Sequence, residues 1–282
     1  MIGVANKILI PKKSQGWIMD DITTASEGNY GRFVDANSNY VDARSFAFSP
    51  DGTKVFILTA SSPVLVYRYD LSVPWDVTTM SYHSVSPSVY TSTNHRDIWV
   101  SPDGLILYLC RGTGKYVYGL PMSPAWDVTS LSPWTTSNPA LYNNDGYANS
   151  LFIGGPNNSP FVMGSNYPDT SGWKIAEYGT FPIRYTYDPG FVQYSANLLT
   201  YVGSFFFKSD GSKLYVIRGS SYKRIYRYIL STPWDISTAV YTTGDYYYLG
   251  DIQFEAGLYF KPDGTRFYIP YYSYLIEFNL TA

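Results

Sequence analysis

The chain reads as all-β: a five-bladed β-propeller of four-stranded antiparallel blades, with the last blade closed by the N-terminal segment. Three observations predict this. Asp-Gly turns recur at Asp51-Gly52, Asp103-Gly104, Asp210-Gly211 and Asp263-Gly264, spaced 52, 107 and 53 residues apart. The long gap is two periods, and its middle holds a degenerate turn, Pro156-Asn157-Asn158, after the apolar run Leu151-Phe152-Ile153. Trp-Asp pairs recur independently at Trp75-Asp76, Trp126-Asp127 and Trp234-Asp235. Finally, the two ends of the chain complement each other, as argued below. A repeat of about 50 residues holding four short strands is the pattern of a propeller blade.

Each segment of the unit has a local reason to be strand or turn. Ser45-Phe46-Ala47-Phe48 is short, apolar and ends at a turn. In Pro50-Asp51-Gly52, Pro presets φ, Asp can bond its own backbone and Gly accepts positive φ. Lys54 to Leu58 is the second strand, and Val64 to Tyr69 alternates as a third. Pro74-Trp75-Asp76 is a corner, and a polar fourth strand is expected around Ser88-Val89-Tyr90-Thr91. In the third copy, Phe181-Pro182-Ile183 replaces the corner, without Trp or Asp. No window carries the periodicity of a long helix.

The C-terminus stops after Tyr274 to Thr281, which matches the third strand Arg224 to Thr232. The missing corner stands at the other end. Gly16-Trp17-Ile18-Met19-Asp20-Asp21-Ile22-Thr23-Thr24-Ala25 is a loosened form of Pro233-Trp234-Asp235-Ile236-Ser237-Thr238-Ala239, and a strand candidate, Tyr30 to Val34, follows. Closure of this kind leaves no half-blade edge open to aggregation. The blades are expected at about 42–94, 95–147, 148–200, 201–250, and 251–282 joined to 16–41. Residues 1–15 lie outside the repeat as an arm.

Composition agrees with this plan. Apolar residues make up 45% and charged residues 15% of the chain, while tyrosine occurs 30 times; Tyr and Thr suit half-buried pleated surfaces. The formal net charge is −2 and there is no basic block, which argues against nucleic-acid and anionic-membrane binding. The single Cys110 lies in an apolar run and reads as a buried thiol. No signal peptide and no membrane-spanning run are expected.

The motif Ser49-Pro50-Asp51-Gly52-Thr53-Lys54, with Leu71 to Thr79, Leu230 to Thr238 and more loosely Pro262 to Arg266, resembles repeats of bacteriophage tail and virion β-propeller proteins. The resemblance covers about five-sixths of the chain. It implies a structural virion component in the phage tail or tail fibre, used for attachment to a host-surface glycan or for particle architecture. Other virion proteins would be its partners, reached through residues 1–15, a host glycan or protein its ligand, and self-association is open. Fold likeness does not fix function, so the residues must be read for chemistry.

That reading yields no cofactor and no metal centre. His83 and His95 are far apart, and no His/Cys cluster has zinc spacing. Arg111-Gly112-Thr113-Gly114-Lys115 reads as a hairpin loop and not a phosphate cradle, and Asn143-Asn144-Asp145-Gly146 as a turn and not a calcium loop. The Trp-Asp corners recur too regularly to be a ligand site: Trp wedges between sheets and Asp bonds the turn. The enzyme reading rests on the first-strand entries. Aligned on the turns, these carry Asp42 and Arg44, then His95, Arg96 and Asp97, then Asn149, then Gln253 and Glu255. A five-bladed glycoside hydrolase would use Asp42, Asp97 and Glu255 as acid, base and modulator. The competing reading has these groups line a wet channel and pair with Arg44 and Arg96. A non-enzymatic recognition surface would draw on Tyr246, Tyr247, Tyr271 and Tyr272 with Arg44, Arg96 and His95, because rigid aromatics with a polar handle bind well. The leading expectation is the non-enzymatic virion protein; the alternatives are the hydrolase and a cellular protein-binding scaffold.

Overall fold

The computed structural model describes residues 29–90, 94–112, 116–133, 140–142, 147–154, 159–165, 173–177, 202–218, 224–249 and 257–280. These form a propeller-like arrangement of small antiparallel sheets with little helix. Strand β1 (Asn29–Arg32) is separated in sequence from the sheet it joins. The first repeat folds as β2 (Ala43–Phe48), β3 (Lys54–Thr59), β4 (Val66–Leu71) and β5 (Met80–Val85). The second gives β6 (His95–Val100), β7 (Ile106–Arg111), β8 (Tyr116–Pro121) and β9 (Ala140–Tyr142). Then come β10 (Tyr147–Gly154), β11 (Ser159–Ser165) and β12 (Trp173–Glu177). The next four are β13 (Val202–Phe207), β14 (Lys213–Arg218), β15 (Arg224–Leu230) and β16 (Ala239–Tyr248). Finally β17 (Tyr259–Phe260), β18 (Arg266–Tyr271) and β19 (Tyr274–Asn279) form one sheet with β1.

Among the described residues, four sheets, and not five, have four strands, and the third repeat contributes three. Its departure falls where the sequence lacks the Trp-Asp corner, and residues 178–201 there, with the degenerate turn, lie outside the described residues. The end-joining sheet is present: Asn29 pairs with Glu277 and Arg32 with Tyr274. The corner around Trp17, the arm at 1–15, Gln253 and Glu255 also lie outside the described residues.

The fourth strand of the first repeat starts earlier than its expected place. Asp76 caps a short 3-10 turn, Val77–Thr79, by accepting the Thr78 N–H at 3.0 Å and the Thr78 hydroxyl at 2.6 Å. That turn delivers the chain directly into β5, so Ser88 to Tyr90 keeps only the bridge from Val64 to Tyr90. Asp127 and Asp235 cap Val128–Ser130 and Ile236–Thr238 in the same way.

The Asp-Gly turns are equally regular. Gly52, Gly104, Gly211 and Gly264 all take φ near +70 (70, 72, 73 and 73), a region closed to most side chains. Asp51 accepts the Ser49 hydroxyl at 2.6 Å and the Thr53 N–H at 3.0 Å. At Asp210 and Asp263, partial burial works against ionisation. Bonds from Lys208 and Ser212, and from Lys261 and Thr265, outweigh it and hold both carboxyls at about 2. Between the sheets lie aromatic cores: Phe48 packs on Tyr268 at 4.7 Å, and Tyr247 meets Phe267, itself stacked on Phe278 of the neighbouring strand at 4.4 Å. Cys110 is fully buried, and burial followed by the Asp97 charge pushes its thiol far above the usual range.

Candidate functional site

The sheets meet in sequence around one axis: among the first strands β2 lies beside β6, β6 beside β10 and β10 beside β13, and the last sheet returns to β2 through its second strand, β18. Equivalent positions of the repeat therefore form layers across that axis. Each of the first four inner strands carries a bulge at the same place, between Ala43 and Ser45, His95 and Asp97, Ala148 and Ser150, and Val202 and Ser204. A bulge re-aims one side chain per strand. The extra residues are Arg44, Arg96, Asn149 and Gly203.

The layer below the bulges is polar and buried. Ser45, Asp97 and Ser204 stand six residues before the Asp of their turns, with Ser150 in the matching place of the third repeat and Gly257 in the fifth. The Ser45 hydroxyl donates to Asp97 Oδ1, and Ser150 donates to Oδ2 at 2.7 Å. Two backbone N–H groups complete the shell, from Ile98 at 2.9 Å and Leu151 at 3.0 Å. Ser204 Oγ lies 3.1 Å from Ser150 Oγ; with the Ser150 proton committed to Asp97, Ser204 is the donor there. Burial pushes Asp97 up to about 6 against the pull of these four bonds. One carboxylate thus joins three sheets.

Two residues further along, the axis is filled by rings. Trp99 packs on Phe152 at 5.0 Å, Phe152 on Phe206 at 5.0 Å, Phe206 on Tyr259 at 4.9 Å, and Tyr259 on Trp99 at 5.5 Å. The expectation of a wet channel lined by Asp97 is corrected by this arrangement: four aromatic rings close the axis on the Asp-Gly side, and protein donors surround the carboxylate.

The three carboxylates expected to face one another do not form a described trio. Asp97 is 4% exposed within the axis. Asp42 is at the exposed rim, accepting the Ser273 hydroxyl at 2.7 Å. Glu255 lies outside the described residues. Among the described residues no group of three His, Cys, Asp or Glu side chains is placed to hold a metal ion.

The recognition candidates share the end of the sheets where the inner strands begin. Tyr272, 53% exposed and at φ 50, forms the turn between β18 and β19, with Tyr271 edge-on at 4.9 Å. Its carbonyl accepts the Ala43 N–H at 3.0 Å, which places this turn beside Arg44. His95 is buried edge-on to Tyr90 at 4.6 Å. Arg96 Nε would lie 3.0 Å from a Cβ on Gly112, so the guanidinium stem packs on the start of that hairpin loop. Tyr246 is half-buried. Tyr247 is buried against Phe267 at 6.2 Å and so belongs to packing between sheets.

Three further groups at this end escaped the sequence reading. The Arg111 guanidinium lies over Tyr90 at 5.1 Å, Arg224 over Tyr246 at 4.1 Å, and Arg32 over Tyr40 at 5.3 Å and Tyr274 at 5.5 Å. Each pair holds a cation and a ring together. For Arg111 and Arg224 the signal was present as an arginine at the end of a second strand or the start of a third, with its tyrosine about 20 residues away; Arg32 ends the outer strand β1 and meets Tyr274 only through the joining of the two ends.

No protein-family model matches the chain, and no curated protein matches it in sequence. Among solved structures it is similar to the hydrazine synthase of Kuenenia stuttgartiensis, with a TM-score of 0.47 and 15% identity over 82% of this chain. The match spans 56% of that protein's length.

Proposed function

We propose that this chain closes as a five-bladed propeller and serves as a non-enzymatic phage virion component. Its inner-strand-entry end attaches to a host-surface glycan. The observation that carries this reading is the contrast between the two kinds of candidate. The buried axial carboxylate, Asp97, has both oxygens committed to protein donors. Arginine and tyrosine, by contrast, are paired around the accessible end. Tyrosine faces stack on sugar rings, and arginines bond hydroxyl and carboxylate oxygens. Loops at the end of rigid sheets can vary without disturbing the core, which suits a recognition surface. The virion assignment rests on the repeat motif, and its partners in the particle would be reached through residues 1–15.

The hydrolase reading has one observation in its favour, an Asp97 carboxyl held at about 6, the range of a general acid. Ring packing on one side and four donors around the group keep a sugar from reaching it. Two measurements test the proposal. Mass spectrometry of purified particles is expected to find the chain, and its absence there overturns the virion role. Binding of the purified chain to intact host cells is expected to weaken about 10-fold in Tyr272→Ala and Arg96→Ala, a hot-spot effect of ~1.4 kcal/mol each. Unchanged binding in both variants overturns the assigned surface.

A further inference from the structure

Arginine is used in two ways in this chain. In the first it faces an acid: Arg68 pairs with Asp70 at 2.8 Å, Arg227 with Asp245 at 2.9 Å and Arg266 with Glu277 at 3.1 Å. Lysine does the same at the Asp-Gly turns, where Lys208 meets Asp210 at 2.8 Å and Lys261 meets Asp263 at 2.6 Å. In the second it faces tyrosine, at the end where the inner strands begin. Two arginines of that end, Arg32 and Arg96, have no carboxylate at ion-pair distance among the described residues. The first use neutralises the charge within the fold; at these two positions the charge is left standing.

Both are held in place without being neutralised. Arg32 is exposed at the end of β1. Its guanidinium lies over Tyr40 at 5.3 Å and Tyr274 at 5.5 Å, and Nη2 donates to Tyr274 Oη at 3.4 Å. Tyr30 meets Tyr274 edge-on at 6.4 Å. Tyr30 and Tyr40 are open to solvent, at 43% and 62% exposure. A cation–ring contact orients a guanidinium and leaves its charge in full. The nearest acid in sequence, Asp35, is committed to its own loop. Its Oδ1 accepts the N–H groups of Asn37 and Asn39 at 2.8 Å each, and its Oδ2 accepts Asn39 Nδ2 at 3.0 Å. Arg96 sits in the bulge between His95 and Asp97. Its Nε is buried with no acceptor among the described residues. The adjacent Asp97 has both oxygens committed to Ser45, Ser150 and two backbone N–H groups.

On the reading that this end attaches to a host glycan, we infer that the glycan is acidic, and that carboxylates of uronate type on it are the counter-charges of Arg32 and Arg96. A planar guanidinium matches a planar carboxylate with two parallel N–H···O bonds. One already held by rings has little freedom left to lose on binding. Tyr30 and Tyr40 then offer faces for the sugar rings beside the carboxylate. A neutral glycan would cover both charges and give neither an opposite charge, which is costly. The two arginines stand on different sheets, Arg32 on β1 of the last and Arg96 on β6 of the second. They therefore suit separate acidic residues of one polymer better than a single small anion.

The test compares binding of the full chain to polysaccharide extracted from the host surface, untreated and with its carboxyls chemically reduced to alcohols. Reduction is expected to weaken binding by about 10-fold or more. Arg32→Gln and Arg96→Gln are each expected to weaken binding to the untreated polymer about 5-fold, and to change binding to the reduced polymer little, because the partner charge is already gone. Should either variant fail to fold, the two polymers still decide the matter with the unchanged chain. Equal binding of both polymers overturns the inference; if Tyr272→Ala still weakens it, glycan attachment stands with a neutral ligand. Binding of neither polymer overturns the inference and the attachment reading together. Dextran sulfate is the control for charge alone: displacement by it as effective as by the untreated polymer overturns the carboxylate assignment.

Discussion

Asp97→Ala is expected to destabilise the chain by ~3–5 kcal/mol, lowering the thermal midpoint by about 10 °C. The cause is the shell and not the lost charge. Ser45, Ser150 and the N–H groups of Ile98 and Leu151 all aim at this carboxylate. Its removal leaves four donors facing a dry void between three sheets. Ser150→Ala removes one donor and opens a smaller gap, so it is expected to cost ~1 kcal/mol. Calorimetry on the two variants checks the ranking. A catalytic Asp97 would give the opposite pattern, with activity lost and the midpoint nearly kept.

The same residue sets a pH signature. Its carboxyl rises from the ordinary 3.8 to about 6 on folding. Between those values the folded chain holds a proton that the unfolded chain has released. The associated stability is therefore fully present below about 4 and is lost as pH rises through 6. The whole interval corresponds to ~3 kcal/mol, at about 1.4 kcal/mol per tenfold change. Glu277, raised by burial against the pull of Arg266, acts with the same sign. The turn aspartates have the opposite sign, but Asp210 and Asp263 lose their contribution only as pH falls from about 4 toward 2. Urea midpoints measured at pH 4.5 and 7 are expected to converge in Asp97→Asn, where the titrating group is gone. An unchanged difference would assign the effect elsewhere.

What the sequence made legible was whatever repeats within one unit. The turn at Asp51-Gly52 and the corner at Trp75-Asp76 depend on bonds across a few residues, so each copy carries its own full signal. The 3-10 turn at Val77–Thr79 is three residues long and left no periodicity to read, which is why the fourth strand was expected at Ser88 instead of Met80. The axial layer was illegible for another reason. Asp97 meets Ser45 and Ser150 across 52 and 53 residues, and serine is too common for its recurrence to stand out. An isolated Asp beside His95 and Arg96 therefore looked like an accessible acid. Its burial is a property of two neighbouring sheets. Likewise Arg32 and Tyr274 pair across 242 positions, through the joining of the two ends.

The second large effect belongs to the corner tryptophan that lies over the turn glycine. Gly52→Ala is expected to cost ~2–4 kcal/mol, well above an ordinary glycine-to-alanine change on a surface turn. Two penalties combine there. Alanine resists a φ of +70, and its Cβ would lie 2.2 Å from the Trp75 ring. The indole cannot move aside freely, because it is 8% exposed and held between Phe48 and Tyr259. The Trp75 backbone carbonyl also accepts from Tyr268 Oη at 2.8 Å and Arg266 Nη1 at 3.2 Å, which ties the corner to the sheet of β17, β18, β19 and β1. Trp75→Ala alone is expected to cost ~3–5 kcal/mol by emptying that space. In the double variant the new methyl group no longer meets a ring, so only the backbone penalty of about 1 kcal/mol should add to the Trp75→Ala loss. Urea unfolding of the two single variants and the double variant measures this shortfall from additivity. Strictly additive losses would mean that the indole and the glycine are not in contact, and that the corner is held by its hydrogen bonds alone.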